Sequence, residues 1–408
     1  LILDPNCTYA FLNKDNDDGG QGPNALPTVT TNIYVEGNNA TLLRSTSFGF
    51  RFFFITGSGS LRLEDITLEN GYALKISPDQ PDARGGAIYN DGGALRAQRS
   101  VIRDNQARDG GAIYNLGILT LEDTLFEWNP SHNGGAIYNG GNMDIVAVLQ
   151  DVNFENNIAQ DNGGAIYNSS AEAGFLISGS TFYSNHSDEH GGAIFMEDGD
   201  LDISHSNFLE NQAGRTSHPI GDGGAIYSLA GDVTLIATDF NLQTAYGVGG
   251  ILYAGPGSDV MLREVWSEDS EACHGGGALY VEGETEVLQT TLKSSRAGGQ
   301  AYGWGWGTGH PNSQECWDYH GGAIYNAGTL ALDRSLLENS NAMGDGDGVY
   351  NLGDLTVVNS TFHFDCCYER DAINNHGNAE LSYSTLANSG LVNSGTMTVK
   401  NIVVAAST

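Results

Sequence analysis

Apolar and polar residues alternate one by one along much of the chain, in short segments separated by glycines and polar turns. The segments Leu330-Ala-Leu332 and Leu355-Thr-Val357 show this period of two. A period of two places apolar side chains on one face of an extended strand, whereas an amphipathic helix needs a period near 3.6. The pattern therefore predicts an all-β protein built from many short strands.

A six-residue motif that begins with two glycines recurs along the chain. Its first copy is Gly85-Gly-Ala-Ile-Tyr-Asn90. Further complete or degenerate copies begin at Gly110, Gly134, Gly163, Gly191, Gly223, Gly249, Gly276, Gly321, Gly346 and Arg370. A second motif, Phe-x-x-Asn, lies between the copies, as at Phe126 and Phe154. A repeat of roughly 24 residues, at about 3.3 Å per residue, suits one closed turn of a solenoid.

We therefore predict a right-handed parallel β-helix with coils of about 24–28 residues and one long aromatic insertion. Residues 1–60 are expected to form irregular N-terminal coils, residues 61–395 the repeat β-helix with its insertion at 296–320, and residues 396–408 a C-terminal strand. Stacked coils place like residues above one another. We expect an inward Ile column, an outward Tyr column, and an Asn column at a corner where left-handed φ is tolerated.

These motifs resemble the repeats of chlamydial polymorphic outer-membrane proteins and of related bacterial surface proteins with pectate-lyase-like β-helices. The resemblance covers about residues 60–395. It implies a secreted or cell-surface protein, often adhesive. It carries over no catalytic residue, because the repeat is a scaffold motif.

The charge balance argues against several partners. The chain has 17 Lys and Arg against 50 Asp and Glu, a net charge of −33. Nucleic acids and anionic membranes bind basic faces, and no apolar run reaches the roughly 18 residues of a membrane span. We expect neither a nucleic-acid partner nor membrane insertion. Ten of the basic residues lie within residues 1–108, a polarity that either serves solubility or orders head-to-tail contacts.

The insertion at 296–320 concentrates aromatic side chains. It contains Trp304, Trp306 and Trp317, followed by Asp318 and Tyr319. Aromatic faces beside carboxylates suit a sugar ring, so these five residues are candidate ligands for a surface glycan. The same residues would also serve to pack the loop onto the solenoid, or to contact another protein.

The cysteines predict a disulfide between neighbouring coils. Cys273 lies three residues before one glycine pair and Cys316 five residues before the next. Neighbouring coils then place the two residues roughly one above the other, at a separation that suits a Cys273–Cys316 bridge. For the adjacent Cys366 and Cys367 we expect a vicinal bridge with Cys7 free; pairing of Cys7 with Cys366 between stacked subunits is the alternative.

We predict no metal site and no cofactor. The segment Asp15-Asn-Asp17-Asp18-Gly lacks the order of a calcium loop. In so acidic a chain the acidic turns Asp198-Gly-Asp200-Leu-Asp202 and Asp345-Gly-Asp347 are expected to be solvated, and they are candidates only for adventitious calcium. No Cys-x-x-Cys motif is present.

Three classes of function remain. We predict a secreted or cell-surface structural and adhesive solenoid that is not an enzyme. The strand-like end at Thr396–Val404 suggests head-to-tail assembly into filaments through open coil ends. One alternative is a glycan-binding module that uses the Trp304–Trp317 loop. The other is a polysaccharide lyase or hydrolase. A lyase is disfavoured because the few basic residues beyond residue 108 are scattered along the chain.

Overall fold

The chain is described here by a computed structural model. The structure describes residues 1–17, 22–73, 83–141, 146–171, 174–215, 220–298, 319–364 and 371–405. The contacts within the chain form two compact units, which we call the first unit (Leu1–Ser187 with Ala193–Asp202) and the second unit (Asp188–Gly192 with Ile203–Thr408).

The regular elements of the described residues are all strands. The first unit contains β1 (Thr8–Phe11), β2 (Asn32–Arg44), β3 (Phe53–Thr56), β4 (Ser60–Glu69), β5 (Tyr72–Ala73), β6 (Ile88–Asp91), β7 (Ala94–Gln98), β8 (Val101–Arg103), β9 (Gln106–Ala107), β10 (Ile113–Asn115), β11 (Ile118–Glu122), β12 (Leu125–Glu127), β13 (Pro130–Ser131), β14 (Ile137–Asn139), β15 (Ala147–Gln150), β16 (Asn153–Glu155), β17 (Ile158–Ala159), β18 (Ile166–Asn168), β19 (Phe175–Ser178), β20 (Thr181–Tyr183), β21 (His186–Ser187), β22 (Ile194–Met196) and the start of β23 (Leu201–Ser204).

The second unit repeats the same plan. Its strands are β24 (Asn207–Leu209), β25 (Gln212–Ala213), β26 (Ile226–Ile236), β27 (Asp239–Asn241), β28 (Thr244–Ala245), β29 (Leu252–Arg263), β30 (Trp266–Glu268), β31 (Glu271–Ala272), β32 (Leu279–Val281), β33 (Glu284–Leu288), β34 (Thr291–Lys293), β35 (Arg296–Ala297), β36 (Ile324–Asn326), β37 (Thr329–Asp333), β38 (Leu336–Glu338), β39 (Asn341–Ala342), β40 (Val349–Asn351), β41 (Asp354–Val358), β42 (Thr361–His363), β43 (Asp371–Asn375), β44 (Asn378–Ser382), β45 (Thr385–Ala387), β46 (Gly390–Asn393), β47 (Thr396–Lys400) and β48 (Val403–Ala405).

Each coil pairs in parallel with the coils before and after it, and like residues meet. Ile113 lies beside Ile88 on one side and Ile137 on the other. These isoleucines are fully buried and form the inward column. The predicted all-β parallel β-helix is confirmed. No helix able to cross a membrane is present among the described residues.

The tyrosines of the motif lie on the opposite face from the isoleucines, as predicted, yet they are far from exposed. Tyr114 and Tyr138 stack with ring centroids 4.8 Å apart. Arginines cover the first two rings, with Arg51 above Tyr89 and Arg84 above Tyr114. The rings shield one another because the coil spacing matches the distance of an aromatic stack.

The motif asparagines form a ladder of amide hydrogen bonds along the stack of coils. The Nδ2 of Asn90 donates to the Oδ1 of Asn115 at 2.7 Å, and Asn115 donates in turn to Asn139 at 2.8 Å. A ladder of the same kind in the second unit runs through Asn326, Asn351 and Asn375. The predicted amide ladder is therefore present in both units.

The prediction of left-handed φ at these asparagines is wrong. The left-handed residues lie at the other corners, for example at Asp123, Trp128 and Asn156. The motif asparagines are strand residues. Their amides are held by the ladder and also by the turn that follows, where the Nδ2 of Asn115 donates to the carbonyl of Gly117 at 2.7 Å.

A second amide ladder uses the asparagine of Phe-x-x-Asn. Asn129 donates to Asn157 at 2.9 Å, and Asn157 donates to Asn185 at 3.0 Å. All three are fully buried. Since an unpaired amide inside the coil would cost free energy, the ladder explains how a polar residue occupies this interior position.

The first glycine of each pair turns the chain. In ten copies of the motif its φ lies between +58° and +70°. A Cβ at Gly163 would lie 2.2 Å from the carbonyl oxygen of Ile166, and a Cβ at Gly135, a second glycine, would lie 2.1 Å from that of Gly164. The first glycine supplies the left-handed bend and the second lets adjacent coils approach.

Candidate functional site

Most of the predicted aromatic site lies outside the described residues. Trp304, Trp306, Trp317 and Asp318 belong to the segment 299–318, which the structure does not describe. Only Tyr319 is described; it is half-buried.

The two ends of that segment lie together. A Cβ on Gly298 would be 2.4 Å from the Cδ1 of Tyr319, so the glycine and the ring are in contact. Gly298 itself has a φ of +71° and donates its N–H to the carbonyl of Ala272 at 2.9 Å. The insertion therefore leaves and rejoins the second unit at one corner of a coil.

Two described cysteines differ in state. Cys7 is free and exposed, whereas the buried Cys273 is part of a disulfide. The partner of Cys273 lies outside the described residues, as do Cys316, Cys366 and Cys367. The Cys273–Cys316 pairing remains a prediction, as do those for Cys366 and Cys367.

The carboxylates of the acidic turns either lie at the surface or form hydrogen bonds within the fold. Asp198 is half-buried, and Asp200 and Asp202 are exposed. Asp345 is exposed too, whereas Asp347 is buried and its Oδ1 accepts the N–H of Ala342 at 2.9 Å. Among the described residues no three His, Cys, Asp or Glu side chains are grouped so that they could hold a metal ion.

The residues before the glycine pairs form a polar row beside the tyrosines. His190 Nδ1 accepts the backbone N–H of Asp222 at 3.2 Å and its ring packs on Tyr227. His320 repeats this arrangement with the N–H of Asp345 at 2.9 Å and with the ring of Tyr350. These contacts hold one coil to the next.

The tyrosine hydroxyls are also engaged by the protein. Tyr253 donates to Glu282 at 2.6 Å, and Tyr167 donates to Glu197 at 3.0 Å. Burial, helped by the Asp222 carboxylate, raises the pKa of Tyr227 to about 12. Because neighbouring rings cover one another's faces, the stack offers edges where a sugar would need an open aromatic face.

One exposed surface of the first unit was not predicted from the sequence. Four apolar side chains point outward: Ile118 on β11, Val146 just before β15, Val148 on β15 and Leu176 on β19. Their exposed fractions are 45%, 48%, 37% and 46%, in that order. We call these four residues the apolar face. Val148 lies beside Thr120 and Leu176 in register, so the side chains are neighbours on one sheet. The signal in the sequence was a pair of apolar residues at successive outward positions of one strand, as in Val146-Ala-Val148.

Charged side chains flank the apolar face along the same sheet. On one side Arg96 is paired with Glu122 at 3.1 Å, and its side chain remains 46% exposed. On the other side are Asp200 and Asp202, which are exposed. The face is therefore apolar in the middle, basic towards β7 and acidic towards β23.

Two further arginines of the first unit are held by carboxylates. Arg99 contacts both Glu64 and Asp65, and Arg103 contacts Glu69 at 2.8 Å. The hydroxyl of Tyr34, which donates to Glu64 at 2.7 Å, and the Arg99 guanidinium lower the pKa of Glu64 below its ordinary value. The two arginine side chains remain 46% and 42% exposed, so each pair contributes little to stability.

Comparison with known proteins gives two similarities. Tailspike protein 3 of bacteriophage CBA120 aligns with all of this chain and 54% of its own length, at 11% sequence identity and a TM-score of 0.34. No curated protein matches the chain. Residues 151–169 and 179–197, which include β16 to β18 and β20 to β22, match the repeat of Chlamydia polymorphic membrane proteins. The resemblance predicted from the motifs is thus confirmed for these two repeats.

Proposed function

We propose that this chain is a structural and adhesive solenoid of a secreted or cell-surface protein, which acts by contact and not by catalysis. One observation carries the proposal: the repeated polar residues of the coil form hydrogen bonds with one another inside the fold. Asn157, for example, is fully buried between the amides of Asn129 and Asn185. Repetition therefore builds a scaffold, and the variable outward positions are left for contacts.

Two further observations support a surface location. The net charge of −33 favours solubility, as suits a protein exposed to the aqueous exterior of a cell. The match of residues 151–169 and 179–197 to a membrane-protein repeat points in the same direction.

The insertion at 296–320 is the second candidate, as a glycan-binding loop. The contact between Gly298 and Tyr319 favours it, because it holds the two described ends of the insertion together on the second unit. Its three tryptophans would supply the sugar-binding faces that the stacked tyrosines lack.

An adhesion assay with a loop replacement tests both candidates. Beads coated with the full chain, or with a variant whose residues 299–318 are replaced by a Gly-Ser linker of equal length, are placed on cells and on immobilised glycans. Adhesion that survives the replacement supports the scaffold surface, and adhesion lost with the loop assigns binding to the tryptophans. Absence of adhesion together with depolymerisation of a polysaccharide would overturn the proposal in favour of an enzyme.

A further inference from the structure

The apolar face of the first unit has an arrangement of charges that complements itself. Its central residue, Val148, lies on β15, with Thr120 and Leu176 beside it on β11 and β19. Arg96 lies one coil further on the β7 side, in register with Thr120. On the other side, Phe175 donates its N–H to the carbonyl of Asp200 at 2.8 Å, which places Asp202 beside Leu176. One outward column thus reads Arg96, Thr120, Val148, Leu176, Asp202.

We propose that this face binds a second copy of the same chain, with the two solenoid axes antiparallel. A two-fold axis that runs along β15 through Val148 reverses the order of the coils and keeps each outward column opposite itself. Val148 then meets its own copy, Thr120 meets Leu176, and Arg96 meets Asp202. Each unlike pair occurs twice, once on each side of the axis.

Charge selects this orientation over the parallel one. In a dimer with parallel axes Arg96 would face Arg96 and Asp202 would face Asp202, and facing like charges oppose association. In the antiparallel dimer Glu122, which follows in the next outward column, lies opposite Ser178 and not opposite another carboxylate. Arg96 keeps its contact with Glu122, and within the described residues Asp202 forms no ion pair.

The size of the face sets the expected strength. Five strands about 4.8 Å apart and three outward positions per strand give a footprint of a few hundred Å² on each copy. That is smaller than the roughly 800 Å² per partner of a stable complex, so the dimer is weak and forms where the protein is crowded. We expect a dissociation constant on the order of 100 micromolar.

Two charge reversals test the pairing in the full chain. Sedimentation equilibrium from about 1 micromolar to about 1 millimolar should show a monomer–dimer equilibrium for the natural sequence. Arg96→Asp and Asp202→Arg should each weaken it by about tenfold or more, because each places like charges opposite one another on both sides of the axis. An equimolar mixture of the two variants should dimerise again, since positions 96 and 202 would then carry opposite charges on both sides of the axis of the mixed dimer.

Controls separate this contact from changes in net charge and from other assembly. Asp259→Arg, at an exposed outward position of β29 in the second unit, makes the same charge change as Asp202→Arg and should leave the equilibrium unchanged. Circular dichroism and thermal unfolding confirm that each variant folds. A natural chain that stays monomeric, or that associates equally well with either reversal, overturns the inference, as does a mixture that fails to recover. End-to-end assembly would be indifferent to both reversals, so this result is independent of the adhesion assay.

Discussion

The phenylalanine column of the first unit is continuous, whereas that of the second unit is interrupted. Phe154 stacks between Phe126 and Phe182 with ring centroids 5.2 and 4.8 Å apart. In the second unit Phe208 stacks on Phe240, but the next register position is Ser267.

The interruption changes two interior positions together. Ser267 replaces the ring, and Ser270 stands where the neighbouring coil has the amide of Gln243. The two hydroxyls lie 3.2 Å apart and satisfy one another in the interior. The residue type at one inward position therefore depends on the other inward positions of the same coil. A polar residue is accepted in the interior when a second polar residue forms a hydrogen bond with it.

Removal of a ring from the continuous column should have the largest effect. Phe154→Ala leaves a cavity between two stacked rings, and we expect it to lower the free energy of unfolding by about 3–5 kcal/mol, measured by urea denaturation. Ser267→Ala removes one hydroxyl and should cost about 1 kcal/mol. If both variants lost the same free energy of unfolding, the comparison would fail, because the stacked rings would then add no packing energy beyond that of an ordinary inward position.

The glycine corner should behave alike in both units. Gly163→Ala and Gly249→Ala each force a left-handed alanine whose Cβ would lie 2.2 or 2.4 Å from a carbonyl oxygen. We expect a loss of about 2 kcal/mol or more in each case, measured as a lower thermal midpoint. Gly57→Ala is the matched control, because its Cβ would have no neighbour closer than 3.8 Å. A loss in only one unit would show that the corner is not shared.

The tyrosine column should produce a smaller, pH-dependent effect. The pKa of Tyr227 is raised to about 12, so the folded state keeps its proton after the unfolded state has lost it. Stability from this residue is complete below about pH 10 and declines as the pH rises towards 12. Thermal midpoints recorded across this interval should fall less in Tyr227→Phe than in the natural chain. A parallel fall in both would assign the alkaline loss to other groups.

The sequence predicts the inward columns because the repeat displays them directly. The isoleucine column, the amide ladder and the glycine turn each correspond to one position of the six-residue motif. The corner conformation was harder to predict, since left-handed φ occurs at residues as different as Asp123 and Trp128. No single residue type marks these corners, because the backbone there is set by closure of the coil.

The outward surface could be predicted only in part. Neither the covered tyrosines nor the apolar face follows from a motif, because each depends on side chains about 25 residues apart that meet only after the coils have stacked. Arg84 covers Tyr114 in the first unit, for example, although 30 residues separate them in sequence. The aromatic insertion and the predicted end-to-end assembly remain predictions.

The amide ladder has a direction, and this bears on how such a protein lengthens in evolution. In each unit the ladder of the motif asparagines begins with an oxygen that no described group satisfies, at Asn90 and at Asn326, because the coils before them carry Ile55 and Val281 at that position. The last amide is better placed: Asn168 donates to the carbonyls of Ser170 and Asp198. A duplicated coil inserted within a ladder adds one donor and one acceptor that match, so the single unsatisfied oxygen is incurred once, however many copies follow. Gene duplication can therefore extend the array inside a ladder at little cost. A newly founded ladder bears the penalty again unless the coil before it supplies a donor, as the N–H of Gly71 does for the Oδ1 of Asn105 at 2.8 Å.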